Sequence, residues 1–139
     1  MDFFTVQTAT FRVLFVVVIL SHDRRRVVHV NVTDHLTAAW TRQQIREAFP
    51  DQTAPAYLLR DRDCCYGPDF GRLLESFGTE EVVTAPRSPW QNPFVERLIG
   101  TLRRECLDSR DRVERAIPPT HPQALPGLLS RVAASSLLG

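Results

Sequence analysis

The chain of 139 residues contains no lysine; all 17 of its basic residues are arginine. Arginine is the better bidentate phosphate ligand. A missing residue type is nonetheless a compositional fact without a motif, and it is read first as base composition of the source genome. With 16 acidic residues the formal net charge is +1, so no global positive field announces a nucleic-acid partner. Cysteine is scarce as well. Cys64, Cys65 and Cys106 form an odd set with two members adjacent, and no Cys/His group has zinc-ligand spacing. A disulfide framework and a zinc module are thereby set aside, leaving free thiols in a reducing cytoplasm. Long hydrophobic runs are also missing. Val13 to Leu20 (VLFVVVIL) is strongly apolar but only eight residues long, against about 20 for a membrane span. Arg12 abuts it and no basic segment precedes it, so it does not read as a signal peptide. It reads as a buried strand, and no membrane partner is expected.

What is present is ordinary globular composition, 43% hydrophobic and 24% charged, in a length that suits one domain. Asp2 to Val6 is β-rich, and Phe11 to Leu20 is too continuously apolar for a strand with one wet face. After a polar turn from Ser21 to Arg25, with a basic tip at Arg24 to Arg26, Arg26 to Val32 resumes strand chemistry, which predicts an antiparallel meander. Thr37 to Phe49 places Trp40, Gln44, Ile45 and Ala48 near helical spacing, and Pro50 stops it. A short strand from Ala56 to Arg60 runs into Asp61. Asp69 to Phe77 reads as a helix closed by Gly78 as its C′ residue, and Glu81 to Ala85 as another strand. Pro86, Pro89 and Pro93 punctuate a loop. Asn92 is a good N-cap with Pro93 at the first helical position, opening a helix to Leu107. The order β-β-β-α-β-α-β-α predicts an α/β fold with a mixed five-stranded sheet: three antiparallel strands, then helix-linked parallel strands, flanked by helices. From Ser109 the chain carries four prolines by Pro126 and no sustained period. This divides it into residues 1–108 and an atypical, poorly ordered tail, 109–139.

Three acids stand out by position. Asp2 lies on the first strand, Asp61 ends a later one, and Glu96 sits in the first turn of the last helix, with 34 residues between it and Asp61. If the sheet brings these ends together, their mutual repulsion is unfavourable until cations fill the cluster. Hard oxygen ligands suit Mg²⁺ or Mn²⁺, and two such ions about 3.5–4 Å apart serve phosphodiester chemistry. On spacing alone, three of 16 acids are equally well ordinary surface carboxylates. The start of a helix also favours an acidic side chain such as Glu96 through the helix dipole.

The words around the acids decide between those readings. DFFTV, then LLRDRDCCYG, then TAPRSPWQNPFVERLIGTLRREC resembles the integrase core of DDE-type bacterial insertion-sequence transposases, related to retroviral integrases. The resemblance covers about residues 2–108, and its last block is the most specific. It implies an RNase H-like fold and a catalytic set of an Asp on the first strand, a second Asp after a later strand and a Glu roughly 35 residues on. In this chain these are Asp2, Asp61 and Glu96, which would hold two Mg²⁺ (or Mn²⁺) ions. Asp61 fits better than Asp63 because the family places an aromatic five positions after the catalytic Asp, where Tyr66 stands, and because only 32 residues separate Asp63 from Glu96. The implied reaction is hydrolysis of one strand at a transposon end, followed by attack of the freed 3′-hydroxyl on target DNA, with no covalent enzyme intermediate.

DNA contacts are expected from Arg87 and Asn92 in the loop and from Arg103 and Arg104 on the helix. Glu96 and Arg103 are seven apart and so share a face; a solvated basic face is the plain alternative. Trp90 fits a packed loop anchor better than a base-stacking platform. His22, His29 and His35 show no metal spacing. The resemblance further implies a cytoplasmic, nucleoid-associated protein that works as a homo-oligomer on transposon ends and target DNA.

Three departures from the family pattern stand out. The chain begins one residue before Asp2, so the first strand is expected to lack its N-terminal half and the usual N-terminal helix-turn-helix region is expected to be missing. Cys64 and Cys65 replace small residues after Asp63, and read as buried packing. Past LRRECLD the family's helical sequence gives way to Pro118, Pro119, Pro122 and Pro126, which exclude that helix; a reading-frame shift near Asp108 would produce such a change. The rivals to an active enzyme are therefore a non-catalytic remnant that binds DNA or dimerises, and an RNase H-type nuclease.

Overall fold

The computed structural model describes residues 1–7, 11–23, 26–85 and 93–108, the last four without their side chains. Three strands come first: β1 (Asp2–Gln7), β2 (Val13–Ser21) and β3 (Arg26–Thr33). They form an antiparallel sheet in the order β1-β2-β3, with Asp2 opposite Val18 and Val18 opposite Val30. β2 is central, which accounts for its unbroken apolar run: Val16, Val17 and Val18 are all fully buried. The register slips between Ile19 and Leu20, a bulge that the β-branched run does not announce.

Helix α1 (Ala38–Ala48) follows, capped by Thr37, whose hydroxyl accepts the Trp40 N–H at 3.1 Å. Strand β4 (Tyr57–Arg60), helix α2 (Phe70–Ser76) and strand β5 (Glu80–Val83) make a helix-linked parallel pair. The end of α2 is a Schellman motif. Gly78 takes φ +70° and donates to Glu75 O, while Thr79 N donates to Leu74 O, as the position of Gly78 foretold. Helix α3 (Pro93–Asp108) closes the described chain. Element boundaries fall within two residues of the sequence expectations. A 3₁₀ turn over Cys64–Tyr66 was not anticipated.

The ladders divide into three strands and two. Met1 N donates to Leu59 O at 2.8 Å and joins the start of β1 to β4. Two apolar layers flank the strands. Even-numbered side chains of β1 and β2, such as Phe4, Val16 and Val18, pack with Val95, Leu98, Ile99 and Leu102 of α3. Odd-numbered ones, Val17 and Ile19, face Ile45 and Phe49 of α1, Leu58 of β4, and Phe70 and Leu74 of α2, with Tyr66 among them. This period-2 division of the strands between two helical layers is the α/β architecture expected. Among the described residues no helix is long and apolar enough to cross a membrane.

Candidate active site

The expected acids lie at the start of β1, after β4 and in the first turn of α3. Asp2 opens β1 and is buried, 8% exposed, with its Oδ1 accepting the Phe3 N–H at 2.8 Å. Burial pushes its carboxyl up to about 6; the Phe3 hydrogen bond opposes this, and the charges of Asp61 and Glu96 add to it. Both other acids of the expected set thus add to the rise of Asp2, Asp61 from the residue after β4 and Glu96 from the first turn of α3, with 34 residues between the two. Asp61 follows the last residue of β4 and is half-buried, accepting the Asp63 N–H at 3.4 Å. Glu96 lies in the first turn of α3 and is exposed.

The mooring of Asp61 begins one residue earlier. Arg60 pairs with Glu81 on the neighbouring strand and donates from Nη1 to the Asp61 carbonyl at 2.6 Å. Its guanidinium lies 4.4 Å from the Tyr66 ring centroid. Edge-to-face contacts hold the same ring, with Phe3 at 5.6 Å and Phe70 at 4.9 Å. Phe3 neighbours Asp2 in the chain, so one aromatic cluster ties the strand bearing Asp2 to the loop bearing Asp61. Gly67 completes the loop at φ +73°, and a Cβ there would stand 2.7 Å from Ala38 Cβ of α1.

The Tyr66 hydroxyl is buried and has no hydrogen-bond partner among the described residues. Burial drives the phenol far above its usual range, with further upward contributions from the charge of Asp61 and from an incipient hydrogen bond to it. The two groups are thus close, but their present geometry falls short of a formed bond.

Asp63 is exposed, and its carboxyl is raised by burial first and by Asp61 second. It does not figure among the charges acting on Asp2. The neighbouring cysteines correct one expectation: Cys64 is exposed and only Cys65 is partly buried. Burial, then the charges of Asp63 and Asp61, push the Cys65 thiol up to about 12, so it is protonated and unreactive at neutral pH.

The basic residues of α3 divide. Arg103 lies with its guanidinium 5.9 Å from the Phe4 ring of β1, and so leans toward the strand carrying Asp2. Arg104 is exposed and contacts Thr101 at 3.4 Å. Arg87, Trp90 and Asn92 lie outside the described residues, as do Arg24 and Arg25. Sequence reasoning passed over Arg60 and Gly67, and used Tyr66 only as a spacing mark. The adjacency of Tyr66 and Gly67 was the available signal, an aromatic anchor beside a residue able to turn the chain.

Among the described residues, no three His, Cys, Asp or Glu side chains are gathered closely enough to form a ready ligand set. The chemistry of the donors nonetheless fits a hard divalent cation. They are carboxylates alone, one of them destabilised as an anion by its burial and further by the charges of the other two.

The integrase core domain family model matches residues 78–118, running past Asp108 to Pro118. The fold itself matches solved structures along nearly the whole chain. The BIV integrase catalytic core domain aligns at 14% identity and TM-score 0.62, covering 99% of this chain and 79% of that one. The HTLV-2 integrase catalytic core domain, solved with magnesium in a trimeric form, aligns at 13% identity and TM-score 0.59, covering 98% and 80%. The chain has an integrase-core fold. A chain of the simian T-cell lymphotropic virus intasome, solved with the PP2A regulatory subunit B56 gamma, aligns at 15% identity and TM-score 0.67. The match covers 98% of this chain and 45% of that longer one. No curated protein matches the sequence. The integrase-core fold is RNase H-like, and the antiparallel meander followed by a parallel pair is its sheet.

Proposed function

We propose that this chain is the catalytic core of a DDE-type transposase or integrase that cuts and joins DNA strands with divalent cations. The observation that carries the reading is the buried carboxylate of Asp2 at the start of β1, raised by its burial and further by the charges of Asp61, at a strand end, and Glu96, at a helix start. Surface acids of a soluble domain have no reason to be brought together with one of them buried, since each raises the cost of charging the next. A site evolved for cations does. The match to the integrase core domain model over 78–118, which contains Glu96, supports the same reading.

In this proposal Asp2, Asp61 and Glu96 are the ligands of two Mg²⁺ or Mn²⁺ ions. When bound, such ions supply the charge that activates an attacking hydroxyl and steadies a leaving oxygen in phosphodiester chemistry. The protein's own part is placement. The aromatic cluster at Tyr66 holds Asp2 and Asp61 near each other, and α3 delivers Glu96 and Arg103 on one side of β1. Arg103 and Arg104, with Arg87 and Asn92 earlier in the sequence, bind phosphates and give salt-dependent affinity with little sequence information. The substrates are transposon ends and target DNA, and the working form is a homo-oligomer. Residues 1–108 form the core, and 109–139 are an appended proline-rich segment.

Nicking of supercoiled plasmid in Mn²⁺ tests the reading. The wild type should nick, and Asp2→Asn, Asp61→Asn and Glu96→Gln should each lose the activity while still binding DNA. Binding without nicking in the wild type as well would identify a non-catalytic DNA-binding remnant. Cleavage confined to the RNA strand of an RNA–DNA hybrid would identify an RNase H-type nuclease instead.

A further inference from the structure

The Tyr66 hydroxyl is an anomaly. A buried hydroxyl without a partner costs free energy, and nothing in the packing of the ring calls for it, because phenylalanine would keep every ring contact. Phe3 and Phe70 meet the ring edge-to-face, and the Arg60 guanidinium, fixed by its ion pair with Glu81, covers a face. The ring is held on several sides, so the hydroxyl cannot turn away to find another acceptor. Asp61 stands close to it without completing a bond. Asp61 is also the member of the acidic set carried on a loop rather than within a regular element, so its carboxylate has room to turn.

We infer that Tyr66 is a positioning residue: its hydroxyl donates a hydrogen bond to one carboxylate oxygen of Asp61, leaving the other to serve as the ligand of a divalent cation that Asp2, Asp61 and Glu96 would hold. The inference rests on the proposed metal site and adds to it a donor outside the ligand set. Such a donor fixes the orientation of the ligand it touches, and its strength grows because its acceptor is charged. The hydroxyl is left unpaired in the metal-free protein and becomes paired in the loaded one, so its cost is borne where no ion is bound.

Tyr66→Phe separates this role from packing. Mn²⁺ titration followed by thermal melting of the 139-residue chain reads both states. Without metal, the variant should melt at the wild-type temperature or slightly above it, because only an unpaired hydroxyl is removed. Its apparent affinity for Mn²⁺ should fall about tenfold, the size of one hydrogen bond to a charged group. Wild-type affinity in the variant, or a lowered metal-free melt with unchanged affinity, overturns the inference while leaving the metal site standing. A wild type that does not respond to Mn²⁺ overturns both.

Discussion

Asp2 carries the strongest electrostatic tension among the proposed ligands, and its consequences can be given a sign. Its carboxyl is raised from 3.8 to about 6 in the folded chain, so between those values the native state holds a proton that the unfolded chain has released. The stability this contributes is fully present below about pH 4 and is lost as pH rises through about 6. For the metal-free protein, Asp2→Asn should therefore raise stability at pH 8, by on the order of 2 kcal/mol, and should change little at pH 4. Asparagine keeps an oxygen for the Phe3 N–H, so the backbone bond at that position is not lost. Urea unfolding at the two pH values checks the difference. Because Asp2 must shed its proton to hold a cation, Mn²⁺ affinity in the wild type should also climb as pH rises through 6.

Gln44 presents the opposite situation, a buried polar group whose oxygen and nitrogen both have partners. At 1% exposure, its Oε1 receives His29 Nε2 and Asn31 Nδ2, both at 2.8 Å, while its Nε2 donates to Trp40 O at 3.3 Å. Gln44→Leu strands both partners between α1 and β3. It should cost about 1–3 kcal/mol in urea unfolding without touching Mn²⁺ affinity. Sequence periodicity placed Gln44 on the buried face of its helix, but it did not reveal the cross-element partners, because His29 and Asn31 come together with Gln44 only through tertiary packing.

Elements were legible where their signals are local. The continuous apolar run announced β2 as a central strand, Pro50 ended α1, and Gly78 closed α2. The 3₁₀ turn over Cys64–Tyr66 was not legible, since a single turn this short has no periodicity to display. Its placement depends instead on Gly67, whose positive φ and missing Cβ let the loop lie against Ala38. Gly67→Ala combines a left-handed conformation with a clash against α1. A loss of about 2–3 kcal/mol is expected. Because this loop carries Asp61, the variant should also respond less to Mn²⁺ than its residual fold would suggest, which melts with and without the ion resolve.

For the whole molecule, the layer arrangement followed from element order, because three strands followed by helix-linked strands leave few ways to bury both faces of a sheet. The choice of site residues was legible in a different manner. Spacing left Asp2, Asp61 and Glu96 indistinguishable from surface acids, and it was the surrounding words that singled them out. In the folded chain the burial of Asp2 leads the rise of its carboxyl, and the charges of Asp61 and Glu96 add to it. Under the proposed function these three carboxylates together make one cation site. This is tested most directly by thermal melts with and without Mn²⁺ for the wild type, Asp61→Asn and Asp63→Asn. The account predicts a rise in melting temperature for the wild type and Asp63→Asn, and none for Asp61→Asn. An equal rise in all three, or a rise lost only in Asp63→Asn, would contradict it.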